Sequence, residues 1–267
     1  MDYGIFKYFI LYMNKLILCS IIFIVITIIL FNIDKVKTNN NNNNKVILVT
    51  QYYEPKNKER LIEIKDTLIN NNYNNIIDEI HLFVEKDYNL DFLNDISKIT
   101  IIKTHKRLSY KMVFDYTNNM NNNNIILLAN SDIYFNETLK RIHYLNYDNT
   151  FYALTIHEII DGTLSKKNND WGSQDVWIWK PPINIKKTYN NTDYFDQEDG
   201  IILGMGACDH RILKIMEDNG YNIRNVCRKI ICIHNHKNDY RNWRTDEISL
   251  LYHYRYRLNG IKFLSCE

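Results

Sequence analysis

Short apolar runs alternate with segments of helical periodicity through the first half of the chain. Four runs have the length and β-branched content of strands: Lys45–Thr50, Ile80–Val84, Ile99–Lys103 and Ile125–Ala129. Residues 57–71 and 109–118, which lie between such runs, carry apolar residues at helical spacing. Strands that alternate with helices pair in parallel, and uninterrupted apolar runs indicate strands buried on both faces. The pattern therefore predicts an α/β fold with a mixed, mainly parallel sheet flanked by helices.

An uncharged apolar run occupies residues 16–33, close to the N-terminus. Its 18 residues approach the length of about 20 that a membrane-spanning helix needs. A cleaved signal peptide is the alternative, but its apolar region is usually shorter and ends at a small-residue cleavage site. The Asn-rich stretch that follows cannot bury enough apolar area to fold. We predict a short tail (1–15), a transmembrane anchor (16–33), a tether (34–44) and one catalytic-sized domain (45–267).

The net charge, the lysines beside the apolar run and the cysteines limit the partners, the membrane orientation and the metal that can be expected. The formal net charge is only +2, so no basic face for nucleic acid is expected. Lys15 precedes the apolar run and Lys35 follows it, so the positive-inside rule does not decide orientation. We favour a single-pass membrane protein whose large domain is lumenal. None of the five cysteines forms a C-x-x-C pair, so zinc is not indicated, whereas one or two disulfides suit a lumenal domain.

A carboxylate stands where the last of the four apolar runs ends. Asn130, Ser131 and Asp132 follow Ile125–Ala129 directly. Ligands of α/β sheets bind outside the carboxyl ends of the strands, so this is a candidate site. The alternative is a turn or helix cap, because residues 137–139 could begin a helix.

Loop residues and metal-ligand types accumulate in the second half. Five of the eight glycines lie within residues 162–206, and loops held by a rigid sheet commonly carry function. Asp175 and Asp209 occur here, and His234 and His236 alternate along the run IICIHNH. If that strand continues, both imidazoles point to one face. Two surface histidines at a strand end remain the alternative.

Five motifs, in this order along the chain, resemble those of GT-A glycosyltransferases, and more narrowly those of large DNA viruses and microbes. They are KRLSYKMVFDYTN at 106–118, LLANSDIYF at 127–135, SQDVWIWK at 173–180, GACDHRI at 206–212 and HNHKNDYRNW at 234–243. The resemblance implies a Rossmann-like GT-A fold. It also implies transfer of a sugar from a UDP- or GDP-sugar to a hydroxyl of a glycan, protein or lipid acceptor.

The same resemblance implies a divalent cation, Mn²⁺ or Mg²⁺, at the candidate site. Asp132 would supply a carboxylate, and His234 or His236 would close the metal site. Oxygen ligands suit both cations, and Mn²⁺ also accepts imidazole. The chain has Asn130 where the family commonly has a first Asp of an Asp-x-Asp motif. One carboxylate of the usual set is therefore missing.

Contacts to the donor are implied for residues before and after the candidate site. Arg107 and Lys111 would meet phosphate, and Tyr110 would stack or meet ribose. The other implied donor contacts come from Asn130, Ser131, Asp132 and Gln174. For the segment around Arg107, a solvated helix start is the alternative.

Acceptor binding and proton transfer are assigned to the last motifs. Asp209 would be the general base that deprotonates the acceptor hydroxyl, with Asp175 beside it; a helix N-cap is the alternative for Asp209. Trp177 and Gly206 would contact the acceptor, although core packing is open for Trp177. Two other functions also stay open. One is an inactive membrane-anchored relative, and the other is a glycoside hydrolase using Asp175 and Asp209 as paired carboxylates.

Overall fold

The computed structural model describes Ser20 and residues 44–94, 96–166, 174–186, 200–205, 208–236 and 266–267. Residues Asn44–Glu267 form one compact unit. The predicted anchor lies outside the described residues apart from Ser20. Within the described ranges, no helix combines the length and the apolar character needed to cross a bilayer.

Eleven strands occur within the described residues. In chain order they are β1 (Val46–Tyr52), β2 (Glu79–Val84), β3 (Ile99–Lys103), β4 (Ile125–Ala129), β5 (Ile133–Phe135), β6 (Thr150–Thr155), β7 (His157–Ile160), β8 (Thr163–Lys166), β9 (Gln174–Trp179), β10 (Asn222–Arg224) and β11 (Cys232–His234). The central sheet has the order β10-β6-β9-β4-β1-β2-β3, and a second sheet has the order β5-β11-β7-β8. In the central sheet only β9 runs antiparallel to its neighbours. The predicted mixed, mainly parallel sheet is thus confirmed.

Three α-helices and two 3₁₀ segments connect these strands in the described part of the chain. They are α1 (Lys58–Tyr73), α2 (Tyr110–Thr117), α3 (Cys208–Asp218) and the 3₁₀ segments Asp91–Leu93 and Glu137–Tyr144. The helix starts follow local chemistry, since the side chains of Asn57 and Ser109 accept hydrogen bonds from the backbone N–H of Arg60 and Met112. Helix α3 ends at Asp218, two residues before Gly220, whose φ of 86° is readily adopted only by glycine.

The central strands are largely apolar because both faces of the sheet are covered. Along β1, Ile47 and Val49 join a core with α2 and α3. Their neighbours Val46 and Leu48 join a second core with the Glu137–Tyr144 segment and the small sheet. The alternation of strand side chains between faces therefore buries every residue of β1.

One disulfide joins Cys227 to Cys266. Cys208 and Cys232 are buried free thiols. The sequence allowed one or two disulfides without indicating a pairing, and the structure places this one between the segment after β10 and the end of the chain.

Candidate active site

Asp132 lies between β4 and β5, at the carboxyl end of the central sheet. The antiparallel pairing of β5 with β11 sets Ile133 opposite His234. The backbone N–H of Asn235 also donates to the carbonyl of Asp132, at 2.8 Å. This pairing joins residues about a hundred positions apart, and it brings the late histidines to the carboxylate.

The structure brings together the three residues that the sequence proposed as metal ligands. Ligand atoms of Asp132, His234 and His236 all lie within 4.8 Å of one another; we call these residues the Asp132 cluster. Nε2 of His234 lies 2.9 Å from Oδ2 of Asp132. The two imidazole rings are stacked, with centroids 4.9 Å apart.

Arg60, which sequence reasoning missed, enters this cluster from the first turn of α1. Its Nη2 donates to Oδ2 of Asp132. Its Nη1 lies 3.0 Å from Nδ1 of His236 and donates to Glu63 at 2.9 Å. The clue in the sequence is a polar stripe, Arg60, Glu63, Thr67 and Asn71, at helical spacing beside the apolar residues of α1. Such a stripe resembles a solvated face, but all four side chains are buried.

The charges in the cluster reinforce one another. Burial disfavours ionisation of Asp132, but His234 and Arg60 hold the pKa of its carboxyl well below the ordinary value. Burial alone would lower the pKa of His234, yet Asp132, helped by the negative charge of Asp175, raises it. The pKa of His236 is lowered by burial, by His234 and by Arg60. His234 is therefore the more readily protonated of the two imidazoles.

A second polar group lies where β9 begins. The antiparallel pairing of β4 with β9 places Asn130 against Asp175, and Nδ2 of Asn130 donates to Oδ1 of Asp175 at 2.7 Å. The backbone N–H of Gln174 donates to Oδ2 of Asp209 at 3.2 Å. Because α3 begins at Cys208, Asp209 lies in the first helical turn and is tied to β9. Asp175 and Gln174, the residue that holds Asp209, are thus adjacent on β9.

A cavity of about 380 Å³ opens at the carboxyl ends of β1 and β2 and after β3. Gln51, Tyr53, Lys106 and Arg107 are among its lining residues. Gly204, at φ 72°, packs closely beside it: an added Cβ would lie 3.6 Å from Nη2 of Arg107 and 3.9 Å from Oδ1 of Asn130. Asn130, a member of the second polar group, therefore lies on the same side of Gly204 as Arg107, which lines the cavity.

Three of the proposed binding residues lie in the core or on the exposed side of a helix. Tyr110 and Trp177 have no exposed surface, and their rings pack edge to face with centroids 5.0 Å apart. Neither ring offers a face to a ligand. Lys111 pairs with Asp115 at 2.6 Å on the exposed side of α2. These positions agree with core packing and with a solvated helix start.

The remaining proposed residues divide between buried and undescribed positions. Ser131 and Gln174, which were proposed as donor contacts, are both buried. Gly206 and residues 237–243 of the last motif lie outside the described residues.

No protein-family model matches the sequence, and no curated protein matches it. The comparison with solved structures gives a mannosyltransferase from Pyrobaculum calidifontis in complex with GDP-Man and Mn²⁺, with a TM-score of 0.50 and 12% identity over 82% of this chain and 65% of that one. It also gives GalNAc-T7 with UDP, GalNAc and Mn²⁺ (TM-score 0.45, 8% identity, 79% of this chain and 48% of that one). A third match is the inositol-1-phosphate CTP transferase from T. maritima (TM-score 0.43, 12% identity, 79% and 95%). At such identities a likeness shows the fold alone. The chain therefore has a GT-A-like mixed α/β fold.

Proposed function

We propose that this chain is a membrane-anchored glycosyltransferase that moves a sugar from a UDP- or GDP-sugar to an acceptor hydroxyl, assisted by a divalent cation. One observation carries the proposal. Asp132 shares a cluster with His234 and His236 at the same carboxyl edge of the sheet as a cavity of about 380 Å³. Ligands of open α/β sheets bind at this edge. Anchoring rests on the apolar run at residues 16–33.

The cavity suits the nucleotide part of the donor. Its volume falls within the range of about 300–1,000 Å³ that is usual for small-molecule sites. Lys106 and Arg107 offer positive charge to the diphosphate, and Tyr53 offers an aromatic ring. Oδ1 of Asn130 is buried without a hydrogen-bond partner, and it faces the same region as Arg107. It can accept a hydrogen bond from a donor hydroxyl.

The Asp132 cluster fits a divalent cation. One carboxylate and two imidazoles form a donor set that Mn²⁺ accepts, and their ligand atoms lie within 4.8 Å of one another. Asp132, His234 and His236 would hold the ion. When bound, such an ion neutralises the negative charge that develops on the leaving diphosphate.

Asp209 would remove the acceptor proton. Its carboxylate is buried, and the N–H of Gln174 fixes it. The acceptor hydroxyl would give its proton to Asp209 while its oxygen attacks the anomeric carbon, and the bond from that carbon to the diphosphate breaks. Asp175, held by Asn130, would orient the sugar beside it.

Donor turnover tests the proposal. The full chain in detergent is incubated with a panel of UDP- and GDP-sugars, with and without Mn²⁺, and nucleotide release is measured with wild type and Asp132→Asn. We expect one donor to turn over, with Mn²⁺ stimulation that Asp132→Asn loses. The thermal unfolding midpoint of the protein is also measured with each nucleotide and nucleotide sugar. The absence of any shift would contradict the proposal. Sugar hydrolysis without any nucleotide would instead identify a hydrolase using Asp175 and Asp209.

An inactive relative is the second candidate, and two observations favour it. The first carboxylate of the common metal motif is replaced by Asn130, and Arg60 already pairs with Asp132. Such a protein would bind the nucleotide diphosphate without turning over the sugar. A thermal shift with UDP or GDP, combined with no nucleotide release in the same panel, would identify it.

A further inference from the structure

Arg60 contacts two of the three side chains that would hold the metal ion. Its guanidinium donates to Oδ2 of Asp132, and Nη1 lies 3.0 Å from Nδ1 of His236. A metal ion would bind through the same carboxylate and imidazole lone pairs. Hydrogen bonds from the guanidinium therefore engage groups that metal binding requires to be free.

The contact is buried and held in place. Side-chain exposure is 10% for Arg60 and 9% for Asp132, so solvent screens the pair weakly. Helix α1 is fixed against the cluster by Asn235, whose Nδ2 donates to the carbonyl of Glu63 at 2.9 Å and to Oγ1 of Thr67 at 3.3 Å. Arg60 is thus aimed at Asp132 by its helix.

A second carboxylate can keep Arg60 paired when it leaves Asp132. Nη1 of Arg60 donates to Oε2 of Glu63 at 2.9 Å, three residues along the same helix. Glu63 is nearly fully buried. The guanidinium therefore keeps a carboxylate partner after it releases Asp132.

We propose that Arg60 competes with the divalent cation for Asp132 and His236, so that the ion binds only when the guanidinium withdraws toward Glu63. The inference deepens the proposed function and rests on it for the identity of the cluster as a cation site. Like charges repel strongly at short range where solvent is excluded, so both cations cannot hold Asp132 together. A donor diphosphate, which attracts guanidinium groups, would assist the withdrawal. Metal loading then accompanies donor binding.

Mn²⁺ binding to the full chain, without nucleotide, tests the competition. The free Mn²⁺ signal in electron paramagnetic resonance gives the dissociation constant for wild type, Arg60→Gln and Arg60→Gln with Asp132→Asn. We expect Arg60→Gln to bind Mn²⁺ at least about tenfold more tightly than wild type, since both the competing contact and the charge repulsion are lost. The double variant should lose this gain. Arg224→Gln, which removes the ion pair with Glu267, is the matched control and should bind as wild type does.

A measurement on the wild type stands beside these variants in case Arg60→Gln does not fold. Phenylglyoxal modifies accessible arginines, and peptide mass spectrometry reports the labelling of Arg60. We expect Mn²⁺ to increase labelling at Arg60 but not at Arg224. Unchanged labelling, unchanged affinity in Arg60→Gln, or no Mn²⁺ binding by any variant would overturn the inference. Neither experiment uses a donor, so failure of the proposed function would appear separately, as absence of nucleotide binding.

Discussion

Two distant chain segments supply the partners of the buried residue Asp132. Arg60 from α1 and His234 from β11 both contact its Oδ2, while the backbone of Asn235 binds its carbonyl. Leaving a buried carboxylate at the end of an apolar strand would be costly without such partners. The same partners give the residue its candidate chemistry, because they hold it ionised at the edge where a ligand would bind.

The partners of Asp132 predict how stability changes with pH. Because its folded pKa is lowered, its contribution is present above the ordinary carboxyl pKa and is lost as pH falls through the lowered value. His234 has a raised pKa, so its contribution is present below its ordinary pKa and is lost as pH rises through the raised value. In chelating buffer, Asp132→Asn should therefore cost more unfolding free energy at about pH 5 than at about pH 9.

Urea denaturation at the two pH values measures this difference. Breaking a buried ion pair by removing one partner costs about 3–5 kcal/mol, so the loss at the lower pH should be of that order or somewhat less. Asp115→Asn, which removes an exposed partner of Lys111, is the control and should show little dependence. An equal cost of Asp132→Asn at both pH values would mean that His234 does not share its charge with Asp132.

Asp209 gives a kinetic prediction at the same scale. Asp209→Asn keeps an oxygen that can accept from the Gln174 N–H, so stability should change little. An Asn side chain cannot take up the acceptor proton, so the transfer rate should fall by about 10²–10⁴-fold. The measurements are the transfer rate and the affinity for the donor that the nucleotide-sugar panel selects, and the affinity should persist. Asp218→Asn on the last turn of α3 is the control, and a near-normal rate in Asp209→Asn would leave Asp209 only a structural role.

At the scale of elements, much of the central sheet could be predicted from the sequence. The runs that became β1, β2 and β4 are largely apolar because buried cores cover them, and that burial leaves a strong pattern. The small sheet could not be predicted from the sequence. Its strands β5 and β11 have three residues each, and their pairing depends on contacts about a hundred residues apart. Arg60 was missed for the same reason, since its partner is 72 residues away.

The junction between α1 and β5 predicts an element-scale effect. Nδ2 of Asn71 donates to the carbonyl of Ile133 at 2.9 Å, so Asn71 holds the strand that follows Asp132. Asn71→Ala leaves this buried carbonyl unsatisfied and should cost about 1–3 kcal/mol of unfolding free energy. Urea denaturation measures the cost. Asn75→Ala, at an exposed position just after the helix, should stay within about 0.5 kcal/mol of wild type.

At the scale of the whole molecule, the compact unit begins where the asparagine-rich tether was predicted to end. Residues Asn44–Glu267 form that unit, and its first strand begins at Val46 in the middle of the sheet. The backbone N–H of Val46 donates to Asp78 at 2.7 Å, and the carbonyl of Lys45 accepts from Ile125 at 2.8 Å. The fold therefore needs the chain from Lys45 onward.

These contacts predict the result of cutting the chain at two nearby points. Deletion of residues 1–44 removes the apolar run and the tether but keeps the hydrogen bonds of Lys45 and Val46, so we expect a soluble, monodisperse and cooperatively unfolding fragment. Deletion of residues 1–48 also removes Val46 and Leu48, which are fully buried between β2 and β4. Each buried side chain of this kind contributes about 1.5–3 kcal/mol, so the shorter fragment should not fold. Size-exclusion chromatography and thermal unfolding measure both. Aggregation of the longer fragment, beside a folded full chain in detergent, would show that residues 1–44 do more than anchor the domain.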